Sequence, residues 1–167
     1  MDGRSYWSPN GSLTIAGHVD LRYMPSVNGA PFWALSSIGG DSSALGGEQT
    51  LRGFGDSRFY GRESFSANIE SRQRIFTLDS LGTRIDLQVA PFCDTGRVFS
   101  RASTFPIDKL HNVVGVGVRG VAAPFVVGYV DVGVGSEGAA VFTGINYPID
   151  FFHEMSADGD MSLVGEG

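Results

Sequence analysis

Several short constellations in this 167-residue chain carry residue types that do chemistry elsewhere. Gly55-Asp56-Ser57, read with the distant Asp150-x-x-His153, imitates a hydrolase in which histidine and aspartate activate a serine. Such a triad needs an α/β scaffold to bring its three side chains together, and an oxyanion donor beside them. The sequence has no Gly-x-Asn-Asp block to supply that donor and no helical segments, so Ser57 reads as a loop residue. Gly115-x-Gly117-x-x-Gly120 and Gly133-x-Gly135-x-x-Gly138 both have the spacing of a dinucleotide fingerprint. That motif cradles a pyrophosphate only where it opens a helix. Here both runs sit among valines, and the glycines read as small strand residues facing a crowded interior. His18, His111 and His153 are too scattered to form a metal-ligand cluster, and His18 reads as a polar interior filler. The single Cys93 rules out an internal disulfide framework and a cysteine-based zinc site. A net charge of −6 argues against a nucleic-acid partner, since phosphate binding needs a basic surface. No catalytic residue, cofactor or metal is therefore expected. What remains is electrostatic: Arg52 within Leu51-Arg52-Gly53-Phe54, and solitary charges set into otherwise apolar segments.

The elements that must position these charges follow from period-two alternation. No stretch approaches the ~20 consecutive apolar residues of a transmembrane helix, whereas 24 glycines and dispersed charges suit many short strands. In the segment 13–23 the odd positions are Leu13, Ile15, Gly17, Val19, Leu21 and Tyr23, and the even ones Thr14, Ala16, His18, Asp20 and Arg22. That is the pattern, and about the length, of a strand with one face toward lipid and one toward water. Phe65, Ala67 and Ile69 alternate with Ser66, Asn68 and Glu70, and Arg72 and Arg74 continue the polar face. Ile85, Leu87 and Val89 alternate with Arg84, Asp86 and Gln88; Val114, Val116 and Val118 with Gly115, Gly117 and Arg119. Val130, Val132 and Val134 alternate with Asp131, Gly133 and Gly135, and Val141, Ile145, Tyr147 and Ile149 lie opposite Phe142, Gly144 and Asn146. Six strands are expected. Tight turns are expected at Ala122-Ala123-Pro124-Phe125 and around Asp79 and Gly82, against a long loop over 25–63 and a medium one over 100–110. This asymmetry of short turns and long loops is that of an outer-membrane barrel. Residues 1–152 form the barrel portion in this reading, and 153–167 an acidic, glycine-rich disordered tail.

The motifs in those strands resemble the outer-membrane assembly-factor superfamily, the BamA/TamA-like bacterial surface antigens. Leu51-Arg52-Gly53-Phe54 resembles the (Val/Leu)-Arg-Gly-(Phe/Tyr) tip of the family's inward-folded loop. Asn68-Ile69-Glu70-Ser71-Arg72 is similar to its Asn-x-Glu-x-Arg strand, Phe92-Cys93-Asp94-Thr95-Gly96 to its Phe-x-Asp-x-Gly strand, and Gly115-Val116-Gly117-Val118-Arg119 to the Gly-x-Gly-x-Arg strand that follows. The four motifs stand in the family's order and spacing, and the match spans about residues 13 to 152. The resemblance implies the last six strands of a sixteen-stranded antiparallel transmembrane β-barrel. It also implies a latch in which Arg52 is held by Glu70 and Asp94 in the lumen, with Asn68, Arg72 and Arg119 as further lumen-facing polar residues. A guanidinium carried into such an interior needs carboxylate partners. Gly53 would permit the close backbone approach.

Phe142, Gly144, Tyr147 and Ile149 resemble the C-terminal recognition signal of outer-membrane barrels. The chain departs from the family by running past Phe151 and Phe152 to Gly167, and Pro148 removes a ladder donor. Both features suit a weakly paired seam. The function implied is insertion or translocation of other polypeptides at the bacterial outer membrane by β-augmentation. The implied partners are outer-membrane lipid, client outer-membrane or secreted polypeptides, and accessory lipoproteins. Met1 to Ser8 contain no apolar leader, so the chain is expected to be a fragment of an exported protein. Two other readings stay open: a barrel serving as anchor or secretion pore for an upstream lipase-type domain, and a soluble β-sandwich binding module.

Overall fold

Strands follow one another along the chain because valines and other β-branched or aromatic residues alternate with small or polar ones. The computed structural model describes residues 1–23, 35–39, 51–80, 83–99, 109–122 and 126–145. The strands are β1 (Asp2–Asn10), β2 (Leu13–Tyr23), β3 (Ser36–Ile38), β4 (Phe59–Gly61), β5 (Glu63–Ser80), β6 (Thr83–Phe99), β7 (His111–Ala122), β8 (Val126–Gly135) and β9 (Gly138–Ile145). Seven of them form one antiparallel sheet in the order β1-β2-β5-β6-β7-β8-β9, and β3 pairs with β4 in a small separate ribbon. The chain is all-β, as the alternation implies. Among the described residues β1 and β9 are edges, and the sheet does not close into a barrel.

Three expectations need correction. The main sheet has seven strands rather than six, because Asp2–Asn10 pairs with β2 from Asp2↔Asp20 to Asn10↔Leu13. Its sequence, DGRSYWSPN, lacks apolar alternation because both its faces are largely exposed at the sheet edge. The segment 25–63 is not loop throughout: it contains β3 and β4, and Glu63 already opens β5. Asp79 is not a turn residue but pairs with Arg84 near the end of a long β5–β6 ladder. Gly82, Ala123, Pro124, Phe125, Asn146, Tyr147, Pro148, Ile149, Asp150 and the tail 153–167 lie outside the described residues, as does most of the 100–110 connection.

The two faces of the sheet differ sharply. On one lie the side chains of Val19, Leu21, Ile69, Val114, Val116, Val118, Val130, Val132, Val134, Val141 and Ile145, all exposed. Along β2 from Leu13, β5 from Phe65 to Leu78, β6 from Ile85 to Thr95, and β7, β8 and β9, no position on this face carries a charge among the described residues. The opposite face holds buried Asp20, Asn68, Glu70, Arg72, Asp94, Arg119 and Asp131. Among the described residues it is covered by the segment 51–61 and not by a second large sheet. The small ribbon lies against β5 and β6, where Gly61 leaves space that a Cβ would fill against Val98 and the Phe99 backbone.

A bulge lets β5 keep this division over 18 residues. Arg74 pairs with Gln88 and Phe76 with Leu87, so Ile75 has no partner in the ladder. Odd residues face outward before the bulge and even ones after it, which keeps Phe76 and Leu78 on the apolar face. The rim of long connections also carries an exception. β8 and β9 are joined there by the two-residue turn Ser136-Glu137, with Gly138 at φ +126°, a conformation that glycine adopts without steric cost.

Removing Ile75 should leave every other residue on its present face and shift the unfolding midpoint little. Removing Ser71 from the regular ladder should throw Glu70 and Arg72 onto opposite faces and cost on the order of 3–5 kcal/mol for the broken buried pair. Urea unfolding of the two deletion variants checks the contrast.

Candidate functional site

The site begins with a tight turn that carries a charge into the sheet's inner face. Phe54 N–H donates to the Leu51 carbonyl at 3.3 Å, closing Leu51-Arg52-Gly53-Phe54 on itself. Leu51 and Phe54 are buried with Ile38, Phe92 and Val113 in the one apolar cluster of buried side chains among the described residues. Phe54 meets Phe59 and His111 edge-on at 5.1 and 5.5 Å, and Phe59 stacks on His111 at 4.0 Å. Apolar packing thus anchors the turn on both sides of Arg52.

Arg52 itself is 0% exposed. Its Nε and Nη2 donate to Asp94 Oδ2 and Oδ1 at 2.9 and 2.8 Å, and its backbone N–H also donates to Asp94 Oδ2 at 3.1 Å. Nη1 donates to Glu70 Oε2, and to Asp131 Oδ2 at 3.3 Å. The guanidinium lies 3.5 Å over the centre of the Phe92 ring. Two further arginines complete the cluster. Arg72 Nε donates to Glu70 Oε1 at 2.7 Å; Arg119 Nη2 donates to Glu70 Oε2 at 2.9 Å and Asp131 Oδ2 at 3.1 Å, and its Nη1 to Asp131 Oδ1. Three guanidiniums face three carboxylates, so the buried set is neutral in sum. Each partner is needed because an unpaired charge in a low-dielectric interior costs several kcal/mol, about 3–5 in typical cases.

The strands present these groups by register. Asn68 pairs with Asp94, Glu70 with Phe92, Gly117 with Asp131 and Arg119 with Tyr129, each pair on the inner face. Glycines make the room. A Cβ on Gly117 would collide with Asp131 and Arg119, and one on Gly115 with the Phe92 ring and the Val132 carbonyl. A Cβ on Gly133 would strike the Arg52 carbonyl, on Gly53 the Val113 methyls at 2.8 Å, and on Gly135 the Phe54 ring at 3.0 Å. The two fingerprint-like runs are thus accounted for by close packing at Gly115, Gly117, Gly133 and Gly135. Gly120 and Gly138 have open space instead.

Of the residues singled out in sequence, Leu51, Arg52, Gly53, Phe54, Glu70, Phe92, Asp94, Arg72 and Arg119 come together here. Gly96 sits one layer above, where a Cβ would meet the Phe65 carbonyl at 2.9 Å and Ile38 at 3.3 Å. Asn68 is drawn the other way, its Oδ1 3.3 Å from His18 Nδ1, while His18 Nε2 lies 3.1 Å from Asp2 of β1. Phe142 and Gly144 lie in β9, opposite Asp131 and Tyr129 of β8, and make none of the cluster's ion pairs. Ser57 has φ 51° and its Oγ lies 3.4 Å from Ser37 Oγ. The member that sequence reasoning left out is Asp131. Its signal was present: a lone carboxylate at an inward position between valines 130 and 132 has no stable place except beside a cation.

At the rim, Arg58 Nε and Nη2 donate to Glu137 Oε2 and Oε1 at 2.9 and 3.0 Å. This pair is exposed, and the hydrogen bonds and charge of Glu137 hold the Arg58 guanidinium above its ordinary value. Among the described residues the cluster is built of paired charges, and it fastens the loop to the sheet. Comparison with models of protein families, with curated proteins and with solved structures gives no match.

Glu70→Gln should leave three buried guanidiniums with two carboxylates and lower stability by about 3–5 kcal/mol. Gly133→Val should displace the Arg52 backbone and cost at least the roughly 1–3 kcal/mol of an overpacked core. Denaturant unfolding of both variants checks these values; wild-type stability in Glu70→Gln would show that the buried cluster does not depend on Glu70, and in Gly133→Val that the tip does not sit on β8.

Proposed function

We propose that this sheet is part of the wall of a bacterial outer-membrane β-barrel, of the assembly-factor kind, that inserts or translocates other polypeptides. The observation that carries the reading is the uncharged, exposed apolar face set back to back with a buried charge cluster. A water-soluble chain would leave that face as a contiguous apolar surface spanning several strands, the kind of patch soluble proteins avoid. In a bilayer the same face is solvated by lipid, the backbone of the inner strands is paired within the sheet, and the charged face looks into the lumen. β-Strand closure by further strands would remove the two edges, which lipid cannot accommodate.

Within such a barrel the tip of the long loop is a latch. Arg52 ties strands β5, β6 and β8 together from inside, through Glu70, Asp94 and Asp131. The motifs around it resemble those of polypeptide-inserting barrels, and that resemblance supplies the activity: pairing of a client strand with a weakly held edge. Lipid is the solvent of the outer face, and the clients are outer-membrane or secreted polypeptides.

Two measurements decide this. Val116→Lys should cost roughly 2–4 kcal/mol in a bilayer near the midplane, but only about 0.5 kcal/mol or less on a water-exposed face; reconstitution and unfolding in lipid read the difference. In the full-length protein, Arg52→Ala should lower the temperature at which the folded electrophoretic form is lost and reduce client assembly. Wild-type heat stability and assembly in that variant would end the latch reading. Recovery of the unaltered protein in a detergent-free soluble fraction would end the wall reading.

A further inference from the structure

The inward positions of β8 meet the loop in sequence order. Asp131 accepts from Arg52 Nη1. Gly133 lies under the Arg52 carbonyl, and Gly135 under the Phe54 ring and the Gly53 carbonyl. In the turn beyond, Glu137 accepts from Nε and Nη2 of Arg58. Residues 131, 133, 135 and 137, spaced by two, thus face residues 52, 53, 54 and 58 in rising order. The row is closed at one end by a buried ion pair and at the other by an exposed one, with two bare glycines between.

This row bears on the last hairpin in particular. β9 pairs only with β8 among the described residues, and β8 joins the remaining sheet through β7. On its inner side β8 offers no apolar side chain at 131, 133 or 135 for the interior to grip. What ties the hairpin to the interior is the ladder with β7, the buried Arg119–Asp131 pair and the loop laid along that row.

We propose that the loop and the β8–β9 hairpin form a zipper whose exposed end, Arg58–Glu137, is where the two separate, so that this pair sets how firmly the β9 edge is held. Arg58 and Glu137 are positioning residues acting through the hairpin. Asp131 keeps the inner end fastened at any ionic strength, because a buried pair is little screened, whereas the rim pair weakens as salt rises. Its meaning for client insertion rests on the barrel reading of the preceding subsection; the contact itself does not.

Spin labels at Gly55→Cys and Ser136→Cys, in full-length protein carrying Cys93→Ser, report the distance between loop and turn. At low salt the unaltered pair should give one short distance. Arg58→Glu and Glu137→Arg should each raise a longer-distance population by a factor of roughly 2–5, the range of a bidentate exposed pair, and the double swap should restore the short one. High salt should bring the unaltered pair toward the single variants and leave unchanged the distance between β6 and β8 at the level of Asp94 and Asp131, which Arg52 bridges. Single variants indistinguishable from the parent at low salt, or a swap that restores nothing, would overturn the zipper. Because the distances are read equally in detergent and in lipid, that failure is separate from a failure of the protein to fractionate with membranes, which would count against the wall reading alone.

Discussion

A guanidinium cannot be taken out of water unless carboxylates go with it. That constraint organises the inner face of this molecule. Arg52 arrives on a turn, Arg72 and Arg119 on strands, and Glu70, Asp94 and Asp131 meet them from three different strands. Moving any one of these strands by a single residue would turn its charged group to the other face. The cluster therefore ties together the registers of β5, β6, β7 and β8 with the placement of a segment that belongs to none of them. Its stabilising value on its own need not be large, since desolvation offsets much of the attraction. Its value as a register lock is that every misaligned alternative leaves a charge buried alone.

Glycine and valine divide the remaining work. Outward valines in β7 and β8 stiffen the strands and form the apolar surface, while inward glycines let a second backbone lie directly on the sheet. The apparent nucleotide fingerprints arise from this division. Gly133 and Gly135 lie under the loop, Gly115 and Gly117 leave room for Phe92 and the Arg119–Asp131 pair, and the third glycine of each run has another origin: Gly120 has open space around it, and Gly138 supplies the positive φ of the turn.

Much of this was legible because period-two alternation has one physical cause and survives in sequence even when the partner strand is distant. The strand cores 13–23, 65–74, 84–89, 114–119 and 130–135 could be read with their faces correctly assigned, and Arg52, Glu70 and Asp94 could be grouped through motif resemblance. Asp2–Asn10 could not, because an edge strand with two exposed faces has no burial pattern to impose. The extension of β5 beyond Arg74 was hidden by the bulge at Ile75, which reverses parity in the sequence without reversing it in space. Asp131 was legible as inward but not as a partner of Arg52, since nothing local links positions 79 residues apart. Whether the sheet is closed, and by what, depends on pairings that no single strand encodes.

The count of strands has a consequence of its own. In an antiparallel sheet direction alternates, so the first and seventh members of the row β1-β2-β5-β6-β7-β8-β9 point the same way. Bending this sheet until its two margins touch would bring them together in parallel, against the pairing found everywhere else in it. Any closure that keeps the antiparallel rule must interpose an odd number of further strands, giving an even total, as bacterial outer-membrane barrels have. A single interposed strand meets that condition, and it would face β1 on one side and β9 on the other while running opposite to both.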